Sequence, residues 1–158
     1  MKSILIIISL WLGCVILLGC HHQDTRAQNL VPAKGIVLFD EKPLPEASLV
    51  FTPTEENKYH IAGSAYSTGD GTFQLTTYQA ADGIHPGTYS VTVFKEESVM
   101  PISPEKIKEL EELGKSLPEP IVKNLIPIKY NSVETSDLLV EIPQTGHKTI
   151  RIKLQSVR

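Results

Sequence analysis

Histidine, serine and one isolated aspartate are the residues through which this chain could do chemistry. The histidines are His21, His22, His60, His85 and His147. A zinc site on a helix needs two ligands on one face, and none of these forms a His-x-x-Glu or His-x-x-x-His pair. No metal is therefore expected, and the adjacent His21 and His22 read as solvated polar residues. Serine nucleophiles of the hydrolase type sit in a Gly-x-Ser-x-Gly elbow, and no such elbow surrounds Ser48, Ser64, Ser67 or Ser90. The remaining candidate is "STGDGTFQL", residues 67–75, in which Asp70 lies between Gly69 and Gly71.

A calcium loop supplies about six to eight oxygens, usually from several carboxylates at alternate positions. Asp70 is the sole acid between Ser67 and Phe73, and an EF-hand loop also needs a bidentate Glu downstream, whereas residue 79, nine after Asp70, is Gln. A phosphate loop would need a following Lys-Ser/Thr and a helix, and neither follows. A tight turn needs only what is present: Gly69 and Gly71 can take positive φ, and Asp70 can bond nearby amides. Gly69, Asp70 and Gly71 therefore read as a structural turn. The sequence predicts no reaction and no cofactor.

The elements that flank these residues are mostly strands. Apolar side chains alternate at Val37 and Phe39, at Leu49 and Phe51, and at Phe73 and Leu75. The same period of two recurs at Tyr89, Val91 and Val93, at Leu138, Val140 and Ile142, and at Ile150, Ile152 and Leu154. With the short run "IAGSAYS" these make seven strands separated by Gly, Pro, Asn and Asp, the pattern of an all-β sandwich. Residues 103–117, "SPEKIKELEELGKSL", break the period. Ser103 suits an N-cap, Pro104 the first helical position and Gly114 a stop. Ile107, Leu110, Leu113 and Leu117 fall near one face, and Glu111 with Lys115 forms a supportive pair. This short helical insertion is expected as a lid over its own sheet. The prolines at 101, 104, 118, 120 and 127 predict a long crossover without regular pairing.

The first nineteen residues carry one basic side chain and an apolar run from Ile4 to Leu18, too short for a comfortable membrane span. They read as a signal peptide. Leu17, Leu18, Gly19 and Cys20 resemble the bacterial lipobox, which implies that Cys20 receives a diacylglycerol and becomes the new N-terminus. Cys14, after "WLG", fits less well because cleavage there would strand apolar residues on the mature chain. Residues 20–30 would be a lipidated tether, and residues 31–156 a single domain. The whole chain has a formal charge of −3, and losing Lys2 makes it one unit more negative. Nothing there attracts nucleic acid. With Cys14 removed and Cys20 lipidated, no disulfide can form within the mature protein.

Taken in order, "AKGIVLFDEKPLPEASLVFTP", "STGDGTFQLTTY", "DGIHPGTYSVTV" and "IPIKYNSVETSDLLVEI" resemble bacterial lipoproteins with a carboxypeptidase regulatory-like, transthyretin-like domain. The matching elements are Asp40 to Pro45, Gly71 to Phe73, Pro86 to Tyr89, and the late Lys129-Tyr130 and Thr135-Ser136 pairs. The resemblance implies a prealbumin-like, seven-stranded Greek-key sandwich with Tyr89, Val91 and Val93 facing the core. It implies no activity. Transthyretin-like hydrolases of hydroxyisourate end in Tyr-Arg-Gly-Ser, whereas this chain ends "LQSVR". Collagen-adhesin B-type domains join a Lys to an Asn or Asp; Lys34 stands in the first strand, but "TIRIKLQ" offers neither partner. The family turn often carries Asp where Thr68 stands here, a further point against metal.

These readings converge on a non-catalytic, membrane-anchored lipoprotein module of the cell envelope. Its expected partners are the membrane, through the lipid on Cys20, and an envelope protein engaged by loops or an edge strand. His21 after the cysteine favours the outer membrane, facing the periplasm or the cell surface. The alternative is a small-ligand or carbohydrate-binding lipoprotein. That reading predicts that Tyr59, Tyr66 and Tyr78 cluster on one surface. An enzyme would require a pocket joining His60, His85 or His147 to carboxylates.

Overall fold

The apolar alternation seen along the chain becomes the shared core of two facing β-sheets. The computed structural model describes residues 27–156. The signal peptide, Cys20, His21, His22 and most of the tether lie outside the described residues. In the first sheet β1 (Ala33–Phe39) is central. One side of β1 pairs in parallel with β10 (His147–Leu154), from Ala33 opposite His147 to Phe39 opposite Leu154. Its other side is shared by β2 (Lys42–Pro43) and β5 (Thr72–Gln74), both antiparallel. The second sheet is antiparallel throughout, in the order β4 (Gly63–Tyr66), β3 (Ser48–Pro53), β6 (Gly87–Phe94), β9 (Leu139–Ile142). The fold is thus all-β and mostly antiparallel, with one short helix.

Inward residues of both sheets form one cluster. Val37, Phe73, Ile150, Ile152 and Leu154 come from the first sheet, and Leu49, Phe51, Tyr89, Val91, Val93 and Ile142 from the second. Phe51 is its aromatic centre, tilted against Phe73 at 6.2 Å and edge-on to Tyr89 at 6.3 Å between centroids. Fully burying one such aliphatic or aromatic side chain is worth about 1.5–3 kcal/mol. Leu138 and Val140 are only partly buried, packed on the cluster from the edge.

The described residues contain ten strands where the sequence reading had seven. Two of the additions correct the crossover expected between residues 95 and 125. There β7 (Glu96–Val99) pairs antiparallel with β8 (Ile121–Asn124) as a separate two-stranded ribbon. The prolines lie outside the paired residues, so they never remove a ladder donor. The third, β2, follows a two-residue reversal in which Asp40 and Glu41 both take positive φ, +48° and +64°. Positive φ at both central residues gives a turn whose twist matches that of the flanking strands.

The helix α1 (Pro104–Glu112) has the expected start. The Ser103 Oγ accepts from the Lys106 amide, and Pro104 opens the first turn. It ends earlier than 117, with Leu113 as C-cap and Gly114 at φ +62°. Two expectations fail here. None of its residues is buried, so it is not a lid over the sheet. Lys115 lies beyond the last turn, and the helix ion pair is Lys106 with Glu109, at 2.8 Å.

Candidate functional site

The strand directions divide the molecule into two poles. Val31 bridges to Ile84, and Gly87, at the start of β6, pairs with Ile142, at the end of β9. The chain therefore enters at the pole that also holds the loops 54–62, 76–86 and 143–146. At the other end of β6, Phe94 leads through Lys95 into the ribbon. Eight residues of β6 at about 3.3 Å each separate the poles by about 25 Å.

The entry pole gathers aromatic and polar side chains around His85. Its imidazole is 3% exposed, stacked on Tyr59 at 4.3 Å and edge-on to Tyr78 at 6.2 Å between centroids. Tyr78 Oη lies 3.5 Å from Nε2. The Tyr89 hydroxyl donates to the His85 carbonyl at 2.8 Å. Nδ1 is buried without a partner in hydrogen-bond geometry. Burial pushes the His85 pKa below its ordinary value, and the nearby Asn29 carbonyl and Asp82 carboxylate pull it back only in part. Asp82 itself is committed to the loop, accepting from the amides of Thr77, Tyr78 and Gln79 at 2.7, 3.0 and 2.8 Å. Beside it Asn57 is buried, donating to the Thr88 carbonyl and accepting from the Tyr59 amide. A Cβ on Gly87 would stand 2.4 Å from the Asn57 Nδ2. The cluster is a packed loop anchor.

The other two described histidines, His60 and His147, make different contacts. His60 is exposed at φ +51°. His147 opens β10 and accepts from the Thr149 amide through Nδ1 at 3.3 Å. It shares a groove of about 500 Å³ with Glu141 and Arg151, between the free edges of β9 and β10. A histidine and a carboxylate thus line one groove there, and none of the groove's lining residues supplies a hydroxyl or thiol nucleophile. Among the described residues no three His, Cys, Asp or Glu side chains come together as metal ligands. Of the three candidate platform tyrosines, Tyr59 and Tyr78 flank His85, while Tyr66 is exposed at the far end of β4. The predicted three-tyrosine surface is not formed.

At the turn 67–71 the chain leaves β4 in one sheet and enters β5 in the other. The Asp70 Oδ1 accepts from Thr68 Oγ1 at 2.6 Å, Thr72 Oγ1 at 2.7 Å and the Thr72 amide at 3.1 Å. These donors, Thr68 foremost, lower its pKa to about 2. Gly71 takes φ +76°, and a Cβ there would stand 2.9 Å from the Val37 carbonyl oxygen. Gly69 has ordinary φ and open space around it, so only one of the two glycines uses its freedom. Ser67 is buried, its hydroxyl donating to the Leu44 carbonyl and accepting from the Ala47 amide, both at 2.8 Å.

The late motif pairs also have a local explanation. Thr135 Oγ1 donates to the Lys129 carbonyl at 2.7 Å and Ser136 Oγ to the Val91 carbonyl at 2.5 Å. Tyr130 is buried in a short 3-10 turn, its hydroxyl accepting from the Gln155 amide at 3.0 Å.

The ribbon and the helix between its strands, residues 96–124, form an arm at the far pole that carries exposed apolar side chains. Leu113, Leu117, Ile121 and Val122 are exposed, Val122 by 65% and Leu113 by 58%. Outside the arm, Ile128 (73% exposed) in the short 3-10 turn and Leu139 (69%) in β9 are also exposed. The base of the arm is closed by the Leu125 amide donating to the Lys95 carbonyl at 2.8 Å.

Comparison with known proteins adds little. No family model and no curated protein matches the sequence. A 9R-lipoxygenase from Cyanothece is a similar solved structure at 14% identity and a TM-score of 0.37, aligned over 82% of this chain and 17% of that one. This chain thus spans a small part of that protein's length, and neither its fold nor its activity is carried over. Among the described residues no helix is long and apolar enough to cross a membrane.

Proposed function

We propose that this chain is a lipid-anchored, non-catalytic β-sandwich lipoprotein of the transthyretin-like, carboxypeptidase regulatory-like type. Its role is to present the arm 96–124 to an envelope protein. The observation that carries this reading is the arm: a helix without a buried residue and a ribbon with exposed Ile121 and Val122. Burying such a surface is favourable at about 25 cal/mol per Å², and its own body does not do so. A tether on Cys20 would hold the entry pole toward the bilayer. The arm would then face away from the lipid, toward protein.

The Greek-key assignment and the division into signal peptide, tether and domain belong to the same proposal. They are supported by the two-sheet core and by the order of the motifs along the strands. The test has two arms. Mass spectrometry of membrane-extracted protein should find a diacylglycerol-sized adduct on Cys20, absent from Cys20→Ala. Crosslinking in intact cells should give discrete protein adducts from arm positions that disappear in Ile121→Lys/Val122→Lys. Soluble, lipid-free wild type would remove the anchor.

A second reading, a small-ligand or carbohydrate-binding lipoprotein, is favoured by one observation. A groove on the outer face of the β1 sheet holds two cations that have no acid partner among the described residues.

A further inference from the structure

The outward residues of the β1 sheet follow from strand alternation. β1 turns Lys34 and Ile36 away from the core, β10 turns Thr149, Arg151 and Lys153, and β5 turns Thr72 and Gln74. All of these but Lys153 line a shallow groove of about 350 Å³ around Lys34, Ile36, Gln74 and Arg151. That volume falls at the lower end of small-molecule sites. Gly35 lets β1 and β10 approach closely in its floor, since a Cβ there would stand 2.2 Å from the Ile150 carbonyl oxygen.

The charge of the groove is unbalanced. On this face Lys153 pairs with Glu41 at 2.9 Å. Among the described residues the side chains of Lys34 and Arg151 have no ion-pair or hydrogen-bond partner. Arg151 stands opposite Ile36 in the register, so Lys34 is its diagonal neighbour. Strands about 4.8 Å apart with a rise of about 3.3 Å per residue place those two backbones about 8 Å apart. Both side chains can therefore reach one anionic group, the guanidinium in its planar two-point mode and the ammonium as a point charge. Gln74 and Thr149 line the same groove with neutral donors and acceptors, suited to hydroxyls, and Thr72, whose hydroxyl proton goes to Asp70, adds an acceptor.

We infer that this groove binds a hydroxyl-rich carboxylate of about one sugar-acid ring, its carboxylate held between Lys34 and Arg151. The inference rests on the second functional reading and narrows its ligand class. A free sugar acid and a residue of an acidic polysaccharide present the same group, so both are probed.

The test uses the full chain in a neutral detergent, titrated by calorimetry with D-glucuronate, D-glucose and polygalacturonate. Glucuronate, polygalacturonate or both should bind saturably at millimolar ring concentration, and glucose should not. Binding by the monomer assigns a free acid as sufficient; binding by the polymer alone assigns a chain residue. Affinity should fall with added salt. Lys34→Met with Arg151→Leu should lower it by about tenfold or more, with the melting temperature unchanged because both side chains are exposed. Lys34→Arg should retain it. Equal binding of glucose, unaltered by that double variant, would overturn the carboxylate assignment and leave a neutral carbohydrate site standing. No binding of any of the three would overturn the inference and the carbohydrate reading, and would leave the arm's role untouched.

Discussion

Asp70 was the residue most suggestive of chemistry, and its surroundings explain why it can be a turn residue instead. One carboxylate oxygen gathers three donors from Thr68 and Thr72, which is what depresses its pKa to about 2. An NMR titration should place the Asp70 midpoint near 2, moving up toward 3.8 in Thr68→Val. A folded pKa below the unfolded one means that its stabilisation is complete above 3.8 and lost as pH falls toward 2. Asn in its place keeps an accepting oxygen but not the charge, so Asp70→Asn should lower the melting temperature at neutral pH and leave it unchanged near pH 2, where Asp70 is itself becoming neutral. Gly71→Val should cost about 2 kcal/mol or more, because φ is +76° and the Val37 carbonyl blocks the Cβ; Gly69→Ala, with free space around it, should be tolerated. His85 has the same sign by a different cause. Its imidazole is buried and its pKa is lowered from 6.5, so the unfolded chain takes up protons first as pH falls. Stability should hold above pH 6.5 and decline below it. Chemical denaturation across that range would check the slope, which should flatten in His85→Phe.

At the scale of elements, alternation made the inner strands readable. Each run with Val, Leu, Phe or Ile at every second position became a strand whose apolar face turns to the core, the Leu138 to Ile142 run only in part because β9 is an edge strand. What escaped was set by neighbours rather than by local pattern. β2, β7 and β8 are short and exposed, with no buried residue, so no periodicity marks them. The helix carried an amphipathic pattern that predicts packing, yet it rides on an arm whose ends meet at Lys95 and Leu125. The groove of Lys34 and Arg151 was equally hidden. Its only sequence signal is a cation at alternate outward positions in two strands more than a hundred residues apart. The closed base of the arm has a direct consequence. Replacing residues 96–124 by an Asn-Gly turn should leave the body folded, with its melting temperature within about 5 °C of the parent, equivalent to about 1 kcal/mol. Gly35→Ala, by contrast, should destabilise by about 3 kcal/mol, since β10 occupies the Cβ position.

For the whole molecule, the account joins a compact body to two ends with different duties. The chain enters at the His85 pole, and the arm leaves about 25 Å away. If Cys20 carries lipid, the body is a spacer that holds an exposed apolar arm off the bilayer. The most direct measurement is site-specific photocrosslinking in intact cells, with a benzophenone side chain at Leu113 or Val122 on the arm and, for comparison, at Ser64 on β4. The account predicts discrete protein adducts from Leu113 and Val122, none from Ser64, and loss of both arm adducts when Ile121 is changed to Lys. Equal labelling from all three positions, or lipid adducts from the arm, would contradict it.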